Sequence, residues 1–219
     1  DSEGRLIKWK PAEELDPAGD WIHMRNIALI ASGRNPIDND AVDADSALGR
    51  LYGIYRSWSG GRRDEATDML SSSAEFLAGD ADFLLASARM SVDERDWHSA
   101  KDMYRRVLEA RPDCAYIVRE SAEAHFRGKD YERALELYRV AESIDPRSEE
   151  TAWGLVHAYR ACGMTAEAVQ CAIGFLDTED ADMRSYKKCA RLLHEWGYND
   201  EALKVVHRMK INHPRDMEI

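Results

Sequence analysis

Cysteine is scarce in this chain. There are four, Cys114, Cys162, Cys171 and Cys189, and none forms a CxxC pair. That is too sparse for a disulfide scaffold, so free thiols in a reducing compartment are expected; Cys162 with Cys171 is the one pairing to check. Six prolines and thirteen glycines in 219 residues exclude collagen-like and low-complexity arrays. No apolar run reaches 18 residues, so no transmembrane helix is expected, and no signal-peptide pattern is present. Positive charge is in the minority. Thirty Lys and Arg face 41 Asp and Glu, a formal net charge of −11. A uniformly acidic surface repels nucleic acid and anionic lipid, so neither is an expected partner. Hydrophobic residues at 44% exclude disorder by composition. The chain begins with Asp1. The expectation is a cytoplasmic protein, or the soluble part of a larger or membrane-anchored chain.

Catalytic and metal-binding patterns are also missing. No HExxH, GxGxxG, GxxxxGK[ST] or GxSxG occurs. Cys189 and His194 are five apart, and His207 and His213 six apart, poor spacings for a shared metal. Ser59-Gly60-Gly61 reads as a helix-ending turn, and Ser71-Ser72-Ser73 lies inside a predicted helix. Glu149-Glu150 sits at a helix start, where acid offsets the macrodipole. No enzyme activity, cofactor or metal is expected.

What is present is a repeat. Frames of 34 residues starting at Ala47, Ala81, Ala115, Glu149 and Met183 fit without insertion. Position 20 is alanine in all five: Ala66, Ala100, Ala134, Ala168 and Ala202. At a frequency of roughly one in ten, five in register is an accident of about one in a hundred thousand before choice of frame. Position 8 is small or β-branched (Ile54, Ala88, Ala122, Val156, Ala190), which lets two helices cross closely. Position 15 is Gly61, Gly163 and Gly197 in three frames, where a left-handed residue ends a helix. Position 32 is Pro112, Pro146 and Pro214 in three frames, stopping the next helix. Tyr104 with Val107, Tyr138 with Ala141, and Val206 with Met209 form one apolar face of the second helix.

These positions resemble the tetratricopeptide repeat family over residues 47–216. The resemblance implies an all-α, right-handed α-solenoid of five tandem 34-residue helix-turn-helix repeats: 47–80, 81–114, 115–148, 149–182 and 183–216. Each would hold helices over positions 2–14 and 18–31, the first helices lining a concave wall. Arg50 and Ser57 stand where the first frame should have core residues. Residues 1–46 fall outside the frame. Trp21–Ile30 reads as a capping helix, residues 38–45 as an aspartate-bearing loop and residues 1–19 as an extended arm. Residues 217–219 are a tail. No polar terminal helix follows Pro214, so either the chain continues or the last hairpin (Leu203, Val206, Met209) packs on a second copy. Trp97 and Tyr131 at position 17, Tyr159 at position 11 and Trp196 at position 14 read as packing residues.

Groove-facing positions in the family are 2, 5, 9, 12 and 13. Here they place Tyr55, Trp58, Arg89, Tyr116, Arg119, Phe126, Arg127, Trp153, His157, Arg160, Arg184, Lys187, Arg191 and His194 on the wall. In the last three frames six cations (Arg119, Arg127, Arg160, Arg184, Lys187, Arg191) face three acids (Glu123, Glu150, Glu195), a net +3. Either these side chains merely coat solvent-facing helix, or the groove takes an acidic segment of a partner protein, Arg forks holding carboxylates and Tyr116, Phe126, Trp153 and Trp58 anchoring apolar groups. The Lys and Asn pattern with which some members clamp a terminal carboxylate is not present. The leading expectation is a non-catalytic interaction scaffold. The alternatives are an assembly or localisation module of a membrane-associated secretion or polysaccharide-export complex, and a regulatory domain of a larger enzyme.

Overall fold

The structure is a computed structural model, described over residues 47–77, 79–178 and 181–213. The expected capping helix at 21–30, the arm, the aspartate loop, Pro214 and the tail lie outside these residues. Ten α-helices follow one another among the described residues, with no strand. They are α1 (Ala47–Ser59), α2 (Arg63–Leu77), α3 (Ala81–Asp93), α4 (Trp97–Ala110), α5 (Ala115–Arg127), α6 (Tyr131–Ile144), α7 (Glu149–Ala161), α8 (Thr165–Phe175), α9 (Met183–Glu195) and α10 (Asn199–Asn212).

The odd-numbered helices each have 13 residues and start at positions separated by 34. Helices thus occupy positions 1–13 and begin again at 17, one residue earlier than the expected 2 and 18. For α3, α7 and α9 a side-chain cap accounts for the earlier start. Asp80, Ser148 and Asp182 all stand at position 34 and accept the backbone N–H groups of Phe83, Thr151 and Ser185. Capping there turns position 1 into the first helical residue.

The turn between paired helices recurs with the same hydrogen bonds. The N–H of position 15 reaches the carbonyl of position 12, and the next N–H reaches position 11, as in Gly163 to Arg160 and Met164 to Tyr159. This is the two-bond helix stop that requires a left-handed residue. Gly61, Gly163 and Gly197 supply it with φ of 77, 79 and 84°. Arg95 and Lys129 hold the same position in the other two frames, at φ 61 and 62°. An L-residue in that region costs about 1–2 kcal/mol. Lys129→Gly is expected to stabilise the fold by about 0.5–1 kcal/mol, net of the entropy glycine adds to the unfolded chain. Urea denaturation of the pair of variants Lys129→Gly and Gly163→Ala reads the two opposite signs.

The residues divide into two compact units, meeting in sequence within α4 at Val107 and Leu108. In the first, Leu51, Tyr52, Ile54 and Tyr55 of α1 pack with Ala66, Leu77 and with Phe83, Ala86 and Met90 of α3. Ser57, polar where an apolar residue was expected, is nonetheless buried; its hydroxyl lies 3.9 Å from Met69 Sδ and accepts from Arg62.

The second unit has two clusters. Val118 and Ala122 of α5, Ala134, Leu137, Tyr138 and Ala141 of α6, and Leu155 and Ala158 of α7 form one. Trp153, Phe175, Tyr186, Leu193, Val205 and Met209 lead the other. The position-20 alanines are all buried, four of them at 0% exposure, so a methyl is the largest group these crossings admit. Position 32 of the fourth frame is Asp180 in place of proline. There α8 stops early at Phe175, and Arg208 of α10 fastens the following loop through the Leu176 carbonyl and the Asp177 carboxylate.

All four cysteines are free, as expected, and Cys162 and Cys171 are not paired. Burial lifts the Cys171 thiol to about 11 and that of Cys189 to about 12, so neither is a thiolate at neutral pH. Of the last hairpin's apolar residues, Met209 faces the core and Val206 is half-buried, whereas Leu203 is 68% exposed and Ile211, not singled out from sequence, 64%. Tyr159, expected as core, is only half-buried: it packs against the edge of the α5–α7 cluster while Arg139 stacks on its ring at 5.3 Å.

Candidate functional site

The first-helix stripe of each unit carries the candidate residues, and the two stripes differ chemically. In the first unit Tyr55 is buried and its ring meets Trp58 at 5.9 Å. Trp58 is half-buried, donates Nε1 to Asp93 Oδ2 at 3.0 Å and lies under the Arg63 guanidinium. Arg63 also pairs with Asp93 at 2.6 Å. Arg89 Nη1 approaches Tyr55 Oη at 3.5 Å. The result is an aromatic seat whose cations are already committed to ring and carboxylate.

In the second unit the stripe runs over α5, α7 and α9. On α5, Glu123 is the hub. Arg127 Nε donates to its Oε1 at 2.6 Å and Tyr138 of α6 donates Oη to its Oε2 at 2.8 Å. Burial first, then the Glu123 charge, push the Tyr138 phenol far above its ordinary value, so it remains a donor. Tyr116 and Arg119 are half-buried on the same helix. Phe126 is half-buried, its ring 5.3 Å from Tyr131.

On α7, Trp153 is buried among Phe175 and its neighbours and donates Nε1 to Glu149 Oε1 at 2.9 Å. The same oxygen takes the Ser185 hydroxyl at 3.1 Å, which ties α9 to α7. Arg160 is exposed, stacked over Trp196 at 5.5 Å and bonded to Thr165 Oγ1 at 2.8 Å. Along α9, Arg184, Lys187 and Arg191 are exposed; Arg191 lies 3.9 Å from Glu195, and His194 2.7 Å from Asn199.

Stripe arithmetic missed one cation. Lys188 stands at position 6, between the stripe positions, yet its Nζ sits 4.2 Å from the centroid of Trp153. Such a contact is worth about 0.5–2 kcal/mol, more as water is removed. Desolvation lowers the Lys188 pKa, with Glu149 opposing and Arg191 assisting. The signal that could have found it is a two-residue cation run, Lys187-Lys188, one frame after a tryptophan at position 5.

His157 is exposed on α7, but nearby protein strips part of its hydration. Desolvation first, then the Lys188 ammonium, lower its pKa below the ordinary 6.5. The folded state therefore resists protonating His157. Its contribution to stability is full above pH 6.5 and falls as pH drops from 6.5 toward the folded pKa, where the unfolded chain binds more protons. An NMR titration should place His157 below 6.5, and Lys188→Met should move it only part of the way back, since desolvation is the larger cause.

Among the described residues no group of three His, Cys, Asp or Glu could hold a metal, and no helix is long and apolar enough to cross a membrane.

Comparison with known proteins agrees with this geometry. Residues 85–149 match the tetratricopeptide repeat family model. The fold recurs in MamA from Desulfovibrio magneticus RS-1, at 15% identity and a TM-score of 0.62, over 76% of this chain and 93% of that one. It recurs in TTC0263, a thermophilic tetratricopeptide protein of Thermus thermophilus, at 19% identity and 0.54, over 79% and 94%. It recurs again in YrrB, described as having an unusual peptide-binding site, at 14% identity and 0.61, over 80% and 90%. No curated protein matches the sequence. Helical period and turn geometry agree with the family match, which itself covers residues 85–149, and the fold over most of the chain is the one these repeat proteins share.

Proposed function

We infer that the chain is a non-catalytic interaction scaffold, its residues 47–216 forming five repeats, and that the stripe of α5, α7 and α9 receives an acidic segment of a partner protein. The observation that carries the reading is the concentration of exposed or half-exposed cations on that stripe (Arg119, Arg160, Arg184, Lys187, Arg191), with Lys188 beside it, within a chain of net charge −11. Two of the stripe's cations count for less than the sequence suggested. Arg127 is paired with Glu123, and Arg191 leans toward Glu195. Exposed pairs of this kind are weak, about 0.2–1 kcal/mol, so an incoming carboxylate competes with them on equal terms. That the related fold of YrrB has a peptide-binding site supports the same direction.

Calorimetry with a synthetic glutamate-rich peptide at about 50 and 200 mM salt tests the reading. Binding that weakens with salt is expected; binding that is absent, or indifferent to salt, overturns it. Self-association is a second reading, favoured by the exposure of Leu203 and Ile211 on α10. Light scattering at high protein concentration distinguishes it, since a strict monomer removes it.

A further inference from the structure

Trp153 is the largest apolar surface on the second unit's stripe, yet it is 4% exposed. One of its faces is covered by Lys188, whose ammonium is 4.2 Å from the ring centroid. The rest of the ring is fixed. Phe175 packs at 6.1 Å, and Nε1 is held by Glu149. The cover is the movable part, a four-carbon stem with rotatable donors on a half-buried residue. It is also held by a ring rather than by a tight carboxylate partner. Glu149, the acid that acts on Lys188 most strongly, gives Oε1 to both Trp153 and Ser185.

We propose that Lys188 is a displaceable cover on Trp153, drawn off by a carboxylate of the partner so that an adjacent aromatic or large aliphatic side chain of the same segment seats on the exposed ring. The ligand class is therefore a segment in which acidic and large apolar residues alternate closely, not a purely acidic one. Charge complementarity commits the surface to this occupant. Around the cover α9 presents Arg184, Lys187 and Arg191 against Glu195 alone. From α7 the acids acting on the ammonium are Glu149, already engaged, and more weakly Glu150. An incoming carboxylate thus meets a surplus of cations. The exchange is chemically even-handed: a cation–ring contact is lost, an ion pair is gained, and the ring trades a lysine for an apolar group. The lowered pKa of Lys188 agrees with a desolvated ammonium that gains from a partner charge. The proposal rests on the acidic-segment reading and narrows it to one site.

The test uses the full chain, isotopically labelled, with two synthetic peptides of equal charge: one of glutamates only, one alternating glutamate with phenylalanine. In the free protein the ε-methylene protons of Lys188 should be shifted upfield by the Trp153 ring current. Saturation with the mixed peptide should abolish that shift and move the Trp153 indole N–H signal. The mixed peptide should bind about tenfold tighter than the glutamate peptide. Lys188→Met keeps an aliphatic cover of similar length and should cost the mixed peptide about tenfold, with a shallower salt dependence. Lys188→Arg keeps the charge and should cost less, which separates loss of charge from loss of fold.

A ring-current shift that survives saturation, or a Lys188→Met variant with unchanged affinity, overturns the proposal. If both peptides bind equally while charge reversal elsewhere on the stripe still weakens them, the cover idea alone is wrong. If neither peptide binds, the acidic-segment reading has failed and the proposal goes with it.

Discussion

Gly154→Ala should destabilise the second unit by about 1–2 kcal/mol, and Gly154→Val by more, although alanine is the better helix former. Gly154 lies within α7 opposite Tyr138 of α6. A Cβ built there falls 2.5 Å from Tyr138 Cζ and 2.7 Å from Cδ1, and closer still to Cε1. Three atoms of a rigid ring must move, and the ring has nowhere to go: it is 2% exposed and its hydroxyl is anchored on Glu123. The helix-propensity gain of about 1 kcal/mol therefore loses to overpacking of about 1–3 kcal/mol or more. Thermal and urea unfolding measure the net effect. The mechanism is checked in a Tyr138→Ala background, where Gly154→Ala should become neutral or stabilising. Gly53 gives the contrast. A Cβ there would meet the terminal methyl of Met69, the far end of a flexible side chain, so Gly53→Ala should be far milder.

That clash could not be read from the sequence, where Gly154 is only an isolated glycine in a helical pattern. The register could. A constant alanine at position 20 and glycine at position 15 report a close crossing and a left-handed stop, both local demands that few residues meet. Arg95 and Lys129 carry no such signal, because the turn imposes a left-handed conformation, which glycine favours but other residues can adopt. The one-residue earlier starts of α3, α7 and α9 were also available in the Asp80, Ser148 and Asp182 caps.

The site was less legible. Helical spacing lined the cations up along one stripe of the first helices, but it could not say which were spent. Arg127 with Glu123 and Arg191 with Glu195 are i,i+4 neighbours, so those pairs were implicit in the spacing. The burial of Tyr55 and Trp153 was not, since it depends on what other helices lay over them. Lys188 acts through a contact between α9 and α7, and only the packed unit brings it to Trp153.

The combined reversal Arg160→Glu and Arg191→Glu should lower affinity for a glutamate-rich peptide by at least about tenfold at low salt, with most of the loss disappearing at high salt. Both residues are exposed, so the fold should be retained. Removing Arg160 also frees the Trp196 face and the Thr165 hydroxyl, contacts on the protein's own surface that affect stability slightly. The comparison that isolates charge is Arg160→Gln with Arg191→Gln, which should give an intermediate loss. Reversal of Arg105 on α4, an exposed cation already paired with Asp102 and off the stripe, should leave peptide affinity unchanged.

The most direct measurement is an amide NMR titration of the labelled chain with the glutamate-rich peptide. Chemical-shift changes concentrated on the first helices α5, α7 and α9, around Arg119, Arg160, Lys187 and Lys188, are the predicted result. Changes centred instead on the second helices α6, α8 and α10, or no changes at all, would contradict the assignment of the first-helix stripe as the binding face.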